Sequence, residues 1–163
     1  MSPQDALLSI AEISIGLAGF SGLVAAFIQP SGHSWRADQK TRIVLLIVLS
    51  FGMIVCCLAP YALSGIGDSM VLIWGVPMVT FSILCLSLLG YWVAIRRRRN
   101  FTLQFPWIST PIIFVAAVLQ IVVLLSGLGL IVPYSSTVFL FGLLSVLVFG
   151  ANLFMALLHS IWN

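Results

Sequence analysis

The run Ala11-Glu12-Ile13-Ser14-Ile15-Gly16-Leu17-Ala18-Gly19-Phe20-Ser21-Gly22 decides what kind of chain this is. It is the middle of an apolar stretch from Asp5 to Gln29 whose one internal charge is Glu12. About 20 predominantly apolar residues in helical form cross the hydrocarbon core of a bilayer. The stretch therefore predicts a membrane helix. An ionisable side chain inside such a helix is costly in hydrocarbon, so it is expected to face a bundle interior or a water-filled path.

The rest of the chain agrees with that reading. It is 61% hydrophobic and 7% charged over 163 residues, where soluble domains carry about 25% charged residues. Apolar segments at about 6–28, 41–64, 70–95, 107–132 and 137–161 are each long enough to span about 30 Å as a helix. The expectation is an all-α integral membrane protein, one transmembrane domain over residues 1–163, built as a bundle of five helices. The start, Ser2-Pro3-Gln4-Asp5, lacks the basic region of a secretory signal. It reads instead as a helix start, with Ser2 as N-cap, Pro3 as the first helical residue and Asp5 as the capping-box acid.

Charge sets the expected orientation. All seven cations, Arg36, Lys40, Arg42 and Arg96 to Arg99, fall in the first and third connections or just beside them, while Asp5 and Asp68 lie at the other side. By the positive-inside rule the N-terminus is then outside and the C-terminus inside. Arg42 lies about two turns into the second helix, close enough to snorkel to the surface. The run Arg96-Arg97-Arg98-Arg99 serves as a topology determinant and as a place for anionic lipid at the cytoplasmic face. It is too short and too close to the bilayer for nucleic acid.

Placed at helical spacing, the first segment separates large from small residues. Ile10, Ile13, Leu17, Phe20, Val24 and Phe27 fall to one side; Ala11, Ser14, Ala18, Gly22, Ala25 and Ala26 fall to the other. Ser14, Ala18, Gly22 and Ala26 repeat every four residues, a ladder that lets helix backbones approach closely. The small face is expected to pack on protein, with Glu12, Gly16 and Gly19 along its border and the acid turned toward neighbouring helices. Ser109, Ala116, Gln120 and Gly127 form a stripe on the fourth helix; Ser145, Asn152 and His159 recur every seven residues on the fifth. Counting from the outer ends puts Glu12 about 13 Å deep, Gln120 about 16 Å and Asn152 about 22 Å. The three are expected to meet near the midplane.

That arrangement admits two functions. One is an ion or proton site in a small channel-like or transporter-like oligomer, with Glu12 bearing the charge and Gln120, Asn152 and His159 as candidate partners. The other is an accessory or scaffolding subunit of a larger membrane complex, in which a protonated Glu12 is interhelical glue. Cys56, Cys57 and Cys85 match neither a disulfide framework nor a zinc site, and two histidines give no metal or haem site, so no cofactor is expected. Gly19-Phe20-Ser21-Gly22 matches the Gly-x-Ser-Gly pattern of rhomboid intramembrane proteases, but five segments replace their six-helix core and no loop of oxyanion donors is recognisable. No catalytic residue is assigned. The stretch Ala11-Glu12-Ile13, then Leu17 to Gly22, followed by Trp35, Asp38 and Arg42, resembles a group of small bacterial multi-span membrane proteins of unknown function. The resemblance implies a bacterial inner membrane and no mechanism.

Overall fold

In the computed structural model, which describes residues 3–28, 37–99 and 106–162, the chain is a bundle of five long helices. They are α1 (Pro3–Ile28), α2 (Ala37–Ser64), α3 (Val76–Arg99), α4 (Pro106–Gly127) and α5 (Ser136–Trp162), with a single π-turn (Val71–Gly75) leading into α3. All five are long and apolar enough to cross a membrane. The protein is an integral membrane protein. Ser2, Ser34, Trp35 and His33 lie outside the described residues, but Pro3 does open α1 with Asp5 in its first turn.

Successive helices run antiparallel, so one end of the bundle collects the C-terminal ends of α1, α3 and α5 and the N-terminal ends of α2 and α4. Lys40, Arg42 and the arginine run are at this end, called the basic end below. Each helix packs on its neighbours in the chain, α5 also packs on α1, and α2 packs across the centre on α5. α2 and α5 are therefore the spine. Leu46 and Met53 from α2, Met78 and Phe81 from α3, Val123 from α4, and Phe139, Leu143 and Leu157 from α5 are all buried to 2% exposure or less. Phe81 and Trp74 meet Phe139 edge to face, with centroids 6.1 and 6.4 Å apart, and Trp92 meets Phe149 in the same way at 6.3 Å. These contacts fill the interior with close-packed apolar side chains.

Two departures from the expected segments have local causes. The fourth helix ends at Gly127 rather than near residue 132. Gly129 takes a φ of 76°, and the Leu130 N–H donates to Leu125 O at 2.9 Å while the Gly129 N–H donates to Ser126 O at 3.0 Å. This paired pattern is a Schellman stop, which hydropathy alone does not reveal. The π-turn arises one residue before Pro77: proline cannot donate, and the Val76 N–H reaches back five residues to Val71 O.

A close backbone crossing also lies here. A Cβ built on Gly75 would sit 3.1 Å from Gly127 O and 3.1 Å from the Tyr134 ring, and one on Gly127 would sit 2.9 Å from Met78 Cβ. Backbones of the π-turn and α4 thus touch through two glycines.

Candidate functional site: the outer face of the first helix

The face that α1 turns to the bundle differs from the expected one. Leu7, Ile10, Ala11, Ser14 and Ser21 are buried, with Leu17, Ala18, Val24 and Ala25 half-buried between them. This seam repeats every seven residues, mixing large and small side chains. The four-residue ladder starts on the seam at Ser14 and leaves it, because four residues advance about 400° and the row drifts about 40° per step. Hence Ser14 and Ala18 pack inward, whereas Gly22 and Ala26 lie on the outside.

Glu12, Gly16 and Gly19 are exposed as well. Glu12 does not point at neighbouring helices of its own chain, as the sequence suggested, and it has no hydrogen bond or ion pair among the described residues. Counting from Ile28, it lies about 24 Å from the basic end of α1. Cβ atoms built on Gly16, Gly19 and Gly22 meet nothing within 4 Å. Beside these glycines stand Ile15, Phe20 and Leu23, all more than half exposed. The result is a strip of open backbone headed by a carboxyl group.

Gln120 and Asn152 do not join it. Gln120 is 2% exposed and its Nε2 donates to Gly142 O at 2.9 Å, stitching α4 to α5. Asn152 Nδ2 donates to Ser109 Oγ at 3.2 Å, and that hydroxyl is 3.4 Å from Asn152 Oδ1, so the two close on each other about three turns nearer the basic end. The expected midplane meeting of Glu12, Gln120 and Asn152 fails because α1 packs on α2 and α5 with its seam, while both amides are turned into the α4/α5 contact. His159 is exposed in the last turn of α5, 17 residues beyond Gly142, where Gln120 of α4 is held. The side chain of Arg98 is exposed at the end of α3; those of Arg96, Arg97 and Arg99 lie outside the described residues.

Arg42 also departs from expectation. Only 9% exposed, it does not snorkel out but lines a cavity of about 20 Å³ with Trp92, Ser109, Phe149 and Asn152. The polar Ser109–Asn152 pair lines the same cavity.

Ser21 is buried, with its hydroxyl donating to Leu17 O at 2.7 Å on its own helix. Ser14 does the same to Ile10 O at 2.7 Å, with Met53 Sδ at 3.9 Å. The three cysteines are free and buried. Among the described residues no three His, Cys, Asp or Glu side chains come together as metal ligands.

The chain matches no family model, no curated protein and no solved structure at a significant level.

Among the described residues, three buried polar atoms lack a partner: Ser50 Oγ, Ser82 Oγ and Gln120 Oε1. A helical serine can rotate onto the carbonyl four residues back, as Ser14 and Ser21 do. The Gln120 oxygen only accepts, and the helix N–H groups around it are already used. An interhelical hydrogen bond in a membrane averages about 0.6 kcal/mol, less than the roughly 1–3 kcal/mol cost of an orphaned buried acceptor. Gln120→Leu, similar in shape, should therefore leave stability unchanged or raise it by about 1 kcal/mol in reversible unfolding from mixed micelles. A clear loss would mean that the oxygen has a donor, such as a buried water.

Proposed function

We infer that the chain acts as an oligomer that moves a proton or a small monovalent cation along a path between copies, with Glu12 as the charge-bearing group. The observation that carries this reading is the position of Glu12: outward, without a partner among the described residues, deep in a membrane-spanning helix, and beside three glycines with open space above them. A carboxyl group facing lipid tails is costly, so the face calls for a covering surface or a wet path. The apolar filling of the bundle favours a route between chains over a route through one. Gln120 and Asn152 are outside this reading, each being held by its own partner.

In a bacterial inner membrane the positive-inside rule seats the basic end in the cytoplasm. Glu12 then exchanges its ion between the two aqueous sides from about a third of the helix length below the outer end.

Purified chain in liposomes tests the idea. Under an imposed pH or potassium gradient it should dissipate the gradient, and native mass spectrometry in gentle detergent should show a defined homo-oligomer. A chain that passes neither ion, or one that stays monomeric, ends the reading. Recovery only together with other polypeptides would instead favour an accessory subunit docked through the same face.

A further inference from the structure

The outer surface between α4 and α5 holds a groove of about 340 Å³. Val115, Phe141, Leu144 and Val148 form its exposed walls, and Ala116 and Ser145 its buried floor. The Ser145 hydroxyl donates to Gly142 O at 2.7 Å, so the floor offers no free donor. The groove is therefore apolar throughout.

Its length and volume limit what can fill it. From Pro111 to Leu119 it follows α4 for eight residues, about 12 Å, close to one leaflet of a hydrocarbon core about 30 Å thick. A helix is about 10 Å across before its longer side chains are counted and would fill several times 340 Å³ over that length. A flexible chain of roughly ten groups at about 30 Å³ each fits. One end of the groove, Pro111, lies two residues inside the start of the apolar span at Ser109. The other ends at the depth where Gly142 brings α5 against Val123 and Gln120 and closes the gap between helices.

Charge identifies the headgroup. The last turn of α3 is Arg96-Arg97-Arg98-Arg99, joined by a short connection to α4, and Arg98 is exposed. No Asp or Glu occurs in the sequence after Asp68, so α3, α4 and α5 carry no acid, and Asp38, at the start of α2, is the one acid the sequence places at this end. A guanidinium binds phosphate through a planar fork of N–H donors.

We propose that the α4/α5 groove holds an acyl chain of an anionic phospholipid from the leaflet at the basic end, with its headgroup phosphate on the arginine turn of α3. This site is separate from the α1 face and does not depend on ion movement. It makes the lipid a bound component of the α3–α4–α5 side of the bundle.

Native mass spectrometry of the full chain, exchanged into equal phosphatidylglycerol and phosphatidylcholine, tests it. Wild type should retain phosphatidylglycerol preferentially. Val115→Trp, which fills the groove from an exposed position, should lose the retained lipid, whereas Ile121→Trp, exposed on α4 outside the groove, should keep it. Arg98→Gln should reduce the preference by about fivefold, the scale of one basic side chain at an anionic surface. Equal retention of the two lipids by wild type overturns the headgroup assignment. Retention unchanged by Val115→Trp overturns the groove, as does a change in oligomer mass in place of lipid loss, which would make the groove a contact between copies.

Discussion

Glu12→Gln is expected to cut ion flux in liposomes by roughly tenfold or more, a rise of about 1.4 kcal/mol or more in the barrier, while leaving the fold and the oligomer intact. The side chain is exposed on its own chain and makes no bond there among the described residues, so an amide of nearly the same size removes no packing within the bundle. What it removes is the ability to bind and release a proton and to present a negative charge to a cation. Thermal unfolding and native mass should match wild type, and flux should not. Flux equal to wild type would exclude Glu12 as the conducting group. Loss of the oligomer instead would assign Glu12 to holding the copies together, the role it has in an accessory or scaffolding subunit.

Gly127→Leu should have a large effect on folding, about 3 kcal/mol or more of lost stability, the upper range for overpacking. At Gly127 the first added carbon already meets Met78 Cβ at 2.9 Å, Val79 Cγ2 at 3.0 Å and Gly75 O at 3.2 Å. Two of these are backbone or Cβ atoms that cannot swing aside, so the π-turn and α4 would have to separate. Gly19→Leu is the informative contrast, because open space surrounds that position. It should fold with normal stability and fail to assemble. Unfolding curves in mixed micelles and native mass spectra separate the two outcomes; a Gly127→Leu chain as stable as wild type would mean that the crossing gives way easily.

The five spans were legible because hydrocarbon imposes a length and composition that few other contexts require. The choice of face on α1 was not. Size sorting and the ladder from Ser14 to Ala26 looked persuasive, yet the packed seam is set by a seven-residue recurrence through Leu7, Ser14 and Ser21, visible in the sequence once that period is tried. In lipid both faces of a helix are apolar, so hydrophobicity does not mark the inside, and small residues serve interfaces within and between chains alike. The same ambiguity hid the Gly75–Gly127 crossing: its clues were Pro77 two residues after Gly75 and Gly129 two residues after Gly127, which read more simply as breakers. Gln120 was rightly expected to face inward, but its partner, a backbone carbonyl at Gly142, carries no side-chain signal. Arg42 misled because a cation near a helix end normally reaches water, and the polar pair that accompanies it comes from residues 109 and 152, far away in sequence.

The central place of α5 bears on how the protein is made. Its 27 residues leave the ribosome after those of α1 to α4, yet they supply Phe139, Leu143 and Leu157 to the fully buried interior and touch α1, α2 and α4. Translation proceeds at about 5–20 residues per second, so the first four helices wait in the bilayer for seconds without the strut that closes them. Until then Gln120 lacks its acceptor and the inner side of α2 is open to lipid. A chain halted before Ser136 would be a half-built bundle in which Gln120 has lost the carbonyl it donates to.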